Sequence, residues 1–174
     1  MRIDRSAVIL YGSTNKKIKN TKLLEYKNKR YVELTKELVS EYEEILVADK
    51  DMYKSIDNEE EKIIRCIYDM VCKAKSDKVF VISSNMPLIN KRLVNYMGII
   101  QFEEDILIPY VDESLQSLCA IYNKSILKKL KYIIDNEEIS FENLFKSISI
   151  RYIFLKDKSM FIGVDEIEEY ITCL

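Results

Sequence analysis

The chain has 174 residues, 48% hydrophobic and 32% charged, and its 27 basic and 29 acidic side chains leave a net charge of −2. This is the composition of one globular domain over residues 1–174 that can bury a core without metals or disulfides, and it has no general electrostatic footprint for nucleic acid. Histidine is absent, which excludes Ser-His, Cys-His and His-ligated metal chemistry within this chain and leaves carboxylates, lysines, backbone dipoles and a bound ion. No run approaches bilayer-spanning length and MRIDRSAVIL lacks a secretory layout, so a cytoplasmic protein with no membrane partner is expected.

Along the chain, strand-like and helix-like segments alternate. AVILY (7–11) is a continuous apolar run, the pattern of a strand covered on both faces. From Tyr31 the apolar positions Leu34, Leu38 and Tyr42, with Val39 beside them, predict one face of a helix. EILVAD (44–49) reads as a second strand. Ile63, Ile64, Ile67, Met70, Val71 and Ala74 give the strongest helical periodicity in the chain. KVFVISS (78–84) is a third buried strand, ended by Asn85-Met86-Pro87. A short helix at about 89–97, strands at 105–111 and 115–122, and a helix carrying Ile126, Leu127, Leu130, Ile133 and Ile134 follow. Ser140 is placed to N-cap a further short helix. IRYIFLKD (150–157) reads as a strand and 165–174 as a terminal helix. The alternation predicts a three-layer α/β sandwich with a mostly parallel, Rossmann-like sheet. Ligands of such sheets gather at the carboxyl ends of the strands, here after AVILY, EILVAD and KVFVISS.

The four cysteines, Cys66, Cys72, Cys119 and Cys173, form no C-x-x-C pair, and the first three lie in apolar stretches that predict buried free thiols. The stretch after AVILY is more telling. One glycine, Gly12, opens a polar, lysine-rich run that ends at Lys22. A strand entering such a loop suggests phosphate binding, and the same residues also suit an ordinary turn.

Three motifs in order, and a fourth segment near the end, give the chain a family likeness. Leu10-Tyr11-Gly12-Ser13, Lys17-Ile18 and Lys22 run on from the first strand, then LLEYKNKRYV; VFVISSNMPLI spans 79–89; ILIPYVDESLQSLCAIYNKSIL spans 106–127; and FIGVDEIEEY spans 161–170. This order resembles the molybdenum cofactor guanylyltransferases (MobA-like), nucleotidyltransferases of Rossmann-like fold. Their first loop reads L-A-G-G-x-S-x-R-M-G-x-D-K, their third strand ends in C-D-M-P, and a later strand carries L-C-A-L-Y.

The resemblance implies transfer of GMP from GTP to the terminal phosphate of molybdopterin, with Mg²⁺ and release of pyrophosphate. It places nucleotide contacts at Leu10, Tyr11, Gly12, Ser13 and Lys22, and adds Asp57, where the family often has an acidic residue, and Asp49, near a position the family usually gives to Asn. Proteins of molybdenum cofactor synthesis are the partners it implies. The family's metal-binding Asp is Asn85 here, which offers a neutral amide oxygen. Ser13 replaces a glycine, Lys17 the arginine, Lys19 another glycine and Tyr110 the arginine after V-P, while DNEEEKII stands in place of a G-P-L-A-G loop. Two other functions remain open on the residues alone: a non-catalytic relative that binds or regulates, and a nucleotidyltransferase using another nucleotide.

Overall fold

Two hydrophobic cores, one on each face of a seven-stranded sheet, organise the chain. The computed structural model describes residues 2–12 and 21–164, with 21–29 as backbone alone. The strands are β1 (Ile3–Tyr11), β2 (Tyr42–Asp49), β3 (Lys78–Ser83), β4 (Ile106–Val111), β5 (Ser114–Leu115), β6 (Cys119–Asn123) and β7 (Ile150–Phe154). The helices are α1 (Thr21–Leu38), α2 (Glu59–Lys73), α3 (Lys91–Ile99), α4 (Leu127–Asp135) and α5 (Phe141–Lys146). The sheet runs β2-β1-β3-β6-β4, with β7 on the outer side of β4 and β5 extending the β6 side of the same strand. β1, β2, β3, β4 and β7 point one way; β5 and β6 oppose them. The predicted three-layer sandwich with a mostly parallel sheet is the observed architecture.

β1 is the reason for the layering. Ala7, Val8 and Ile9 are fully buried, and alternate residues serve opposite cores: Val8 and Leu10 meet the layer of α2, α4 and α5, while Ala7 and Ile9 meet that of α1 and α3. α2 follows its sequence periodicity, burying Ile64, Ile67, Met70 and Val71 behind an Asn58 cap that accepts from the Glu60 and Glu61 N–H groups. α3 presses close to β1, because Gly98 presents no Cβ where one would lie 2.6 Å from Ile3 Cδ1. The Arg5 guanidinium, 5% exposed, donates to the Met97 and Ile100 carbonyls at the end of α3, and Lys124 Nζ donates to the Ala74 carbonyl at the end of α2.

Several details differ from the sequence expectation. Tyr42 begins β2 rather than extending the helical face, its hydroxyl donating to the Val94 carbonyl at 3.0 Å, and Leu34 faces outward. The strand expected over 115–122 is broken into β5 and β6. The break lies where Pro109 of β4 lacks an N–H to pair and its carbonyl instead accepts from Gln116 N–H. Cys66 and Cys119 are buried, but Cys72 is exposed on the outer side of α2. The terminal helix expected at 165–174 lies outside the described residues.

Asp105, just before β4, joins three segments. Its carboxylate accepts from Ser125 Oγ at 2.7 Å, Ser149 N at 2.9 Å, Ser149 Oγ at 3.0 Å and Lys129 Nζ at 3.1 Å. Partial burial pushes the carboxyl pKa up, but the hydrogen bonds from Ser125, Ser149 and Lys129 outweigh it and hold the group down at about 2. A depressed carboxyl contributes stability above its ordinary pKa and loses it as pH falls through the folded value. Asp105→Asn is therefore expected to lower stability by about 1–2 kcal/mol at neutral pH. In urea titrations the deficit should shrink between pH 4 and pH 2, where the wild-type carboxyl itself takes up a proton. A second expectation concerns the β4–β5 turn, where Asp112 (φ 50°) and Glu113 (φ 60°) both hold left-handed backbone. Glu113→Gly should raise stability by about 1 kcal/mol in the same assay, because glycine adopts that backbone without a Cβ clash.

Candidate functional site

Strand order puts a crevice over β1. The chain leaves β1 for β2 on one side and returns by α2 to β3 on the other, so the connections diverge at the carboxyl end of β1. The described residues there are Leu10, Tyr11 and Gly12. Leu10 is buried, and its carbonyl accepts from Ser84 N–H at 2.9 Å, which ties the end of β3 to β1. Tyr11 lies opposite Asp49 in the β1–β2 register. Burial, then the charge and hydrogen bond of Asp49, push the Tyr11 pKa up, so the hydroxyl is a neutral donor to that carboxylate. Asp49 also accepts from Asp51 N–H at 2.9 Å, capping the short 3₁₀ turn Lys50–Tyr53.

Gly12 is the one residue here whose backbone demands glycine. Its φ is +142°, and a Cβ would stand 2.5 Å from Lys50 Cγ and 3.3 Å from Asp49 Oδ1. Lys50 itself is 6% exposed, and its ammonium is paired with Glu59 at the first turn of α2. The Glu59 carboxylate, its side chain 48% exposed, also meets Lys62 Nζ at 3.5 Å. Burial raises the Glu59 pKa, but the hydrogen bond and charge of Lys50 prevail and hold it below the usual carboxylate range.

Asn85 follows the end of β3. Its N–H donates to Ser83 Oγ at 3.2 Å, and its carbonyl accepts from Val164 N–H at 2.9 Å, so the last described segment of the chain crosses this strand end. Beside it, Tyr31, Leu34 and Leu38 of α1, Ser84, Met86 and Lys91 line a cleft of about 340 Å³. A larger depression of about 640 Å³ lies at the opposite end of the sheet, lined by residues such as Arg2, Asp4, Lys75 and Gln101. The smaller cleft is the one at the end of the sheet where α/β ligands bind.

Of the residues singled out in the sequence, the structure thus brings together Leu10, Tyr11, Gly12, Asp49 and Asn85. Lys22 is the second residue of α1, and only its backbone is described. Asp57 is exposed in the loop before the Asn58 cap. Ser13 lies outside the described residues. Sequence reading missed Lys50 and Glu59: in "VADKDMY" and "DNEEEK" both look like solvated charges, and only the folded chain shows one of them buried under Gly12. No group of three His, Cys, Asp or Glu able to hold a metal is present among the described residues. The strand-end donor at residue 85 is a neutral amide, so a carboxylate cage for Mg²⁺ does not fit these residues.

The layers and strand order are those of the nucleotide-diphospho-sugar transferase fold. A crystal structure of a protein from Aquifex aeolicus VF5 superposes with a TM-score of 0.74 and 21% identity, over 92% of each chain. The molybdopterin-guanine dinucleotide biosynthesis protein A of Archaeoglobus fulgidus superposes with a TM-score of 0.56 and 17% identity, over 97% of this chain and 88% of that one. No protein-family profile matches the chain. Clostridium perfringens (strain SM101) has a relative 30% identical over 97% of this chain and 95% of its own length, named "Probable molybdenum cofactor guanylyltransferase". The chain belongs to the molybdenum cofactor guanylyltransferase family.

The Gly12 geometry gives a direct expectation. Gly12→Ala combines an unfavourable φ with a contact against the Lys50 stem, and should lower stability by about 1–3 kcal/mol in thermal or urea unfolding. Any ligand of the β1 carboxyl end should lose affinity in that variant, read by calorimetry on protein held well below its unfolding temperature.

Proposed function

We propose that the protein is a guanylyltransferase that moves GMP from GTP onto the terminal phosphate of molybdopterin. What carries this reading is a single conjunction: likeness along nearly the whole length to named guanylyltransferases, and a positive-φ glycine at the diverging strand ends of that fold. An oxygen of the molybdopterin phosphate attacks the α-phosphorus of GTP, the bond from that phosphorus to the β-bridging oxygen breaks, and pyrophosphate carries the electron pair away. The protein's part is positioning and charge neutralisation.

In this reading GTP lies across the end of β1. Backbone groups at Leu10, Tyr11, Gly12 and Ser13 hold it, and the Lys22 ammonium meets the phosphates as a point charge. Asp49 and Asp57 face the nucleoside side, where a carboxylate accepts from sugar hydroxyls or from the N–H edge of guanine. The acceptor enters by the cleft beside Ser84, Met86 and Lys91, whose volume is that of a small-molecule site. Mg²⁺, when it takes part, comes with the triphosphate.

Calorimetric titration of GTP in MgCl₂ should show saturable binding at micromolar to sub-millimolar affinity, with CTP and ATP weaker. Turnover should be read as pyrophosphate release dependent on molybdopterin. Lys22→Ala should weaken GTP by about 1.5–3 kcal/mol, the size of a charge-assisted contact. GTP binding without pyrophosphate release would leave a binding relative, tighter CTP a different nucleotidyltransferase, and no heat with any nucleotide would end the enzyme reading.

A further inference from the structure

Lysines are costly to bury, and the described site contains one, at the strand end next to its only positive-φ glycine. Lys50 follows the last residue of β2, and its stem fills the space a Cβ on Gly12 would occupy, with Cγ 2.5 Å and Cε 3.0 Å from that position. Its ammonium reaches past Gly12 to Glu59, the first residue of α2. Three elements, the ends of β1 and β2 and the start of α2, are thereby joined through one side chain. This happens where the chain has DNEEEKII and no glycine-rich turn.

We infer that Lys50 is a positioning residue for the nucleotide-facing end of β1: its buried stem props the Gly12 backbone in the conformation that receives the nucleotide, and Glu59 anchors the far end of the prop. The inference rests on the guanylyltransferase reading for its ligand, GTP, but not for its geometry. A lysine without the Glu59 anchor would seek water, withdraw its stem and leave Gly12 unsupported. Methionine at 50 fills the same space with an apolar chain that needs no anchor.

The test uses the full chain and four variants: Lys50→Met, Lys50→Ala, Glu59→Ala and the double variant Lys50→Met/Glu59→Ala. GTP with MgCl₂ is titrated by calorimetry, and the thermal midpoint of each variant is recorded. Lys50→Ala should weaken GTP tenfold or more and Glu59→Ala three- to tenfold. Lys50→Met should stay within threefold of wild type, and adding Glu59→Ala to it should change nothing further. A residue that merely fills the core would shift the midpoints and leave the affinity of the folded fraction alone. Lys50→Met as weak as Lys50→Ala would overturn the prop in favour of a charge contact, and wild-type affinity in Lys50→Ala would overturn it outright. Should wild type bind no GTP, the functional reading fails, and deuterium uptake of the peptide spanning Leu10–Gly12 in the unliganded proteins decides the geometry. Faster uptake in Lys50→Ala but not in Lys50→Met sustains the prop; equal uptake in all refutes it.

Discussion

Everything in this molecule hangs on β1 being buried on both faces and paired on both edges. A strand in that position can carry no charge on the residues it gives to the cores, and Ala7, Val8, Ile9 and Leu10 carry none. Its ladder also sets its neighbours. Tyr11 can only face Asp49, and the Leu10 carbonyl, left over at the end of the β3 ladder, takes the Ser84 N–H. The candidate site is therefore the set of residues that the end of one strand leaves within reach of each other, brought there by the same backbone bonding that makes the sheet.

Where sequence and structure agree, a physical reason can be named. AVILY and KVFVISS were legible because a strand buried on two faces must be apolar at consecutive positions, and α2 because a helix between core and water must repeat at helical spacing. The failures have reasons too. Leu34 and Cys72 look apolar in a linear pattern, yet Leu34 stays exposed on the wall of the cleft beside Met86 and Cys72 is exposed on α2. The break between β5 and β6 depends on Pro109, a residue of the partner strand, so no window over 115–122 contains its cause. Gly12 and Asp49 could be picked out because loops after parallel strands are where ligands collect. Lys50 could not, since its burial is a property of three elements meeting and its neighbours in the chain are Asp49 and Asp51.

The site departs from its family in a consistent direction. Where the family motif has an alanine, this chain has Tyr11, whose hydroxyl bonds to Asp49, and Lys50 beside them is paired with Glu59. A glycine-lined loop leaves its N–H groups to the ligand and has little to hold it in shape beforehand. A strand end braced by neighbouring side chains has already spent the ordering entropy that binding would otherwise cost.

The far end of the sheet is built on the opposite plan. There Arg5 holds the last carbonyls of α3, Lys124 that of α2, Glu44 accepts from Ser6 Oγ and Lys75 N–H, and Asp105 gathers Ser125, Lys129 and Ser149. Helix ends that would otherwise trade their carbonyl bonds with water are closed by cations at this end. The two rims therefore differ in what their charges face: at one they close the chain's own helix carbonyls, and at the other a lysine is turned inward beneath a glycine.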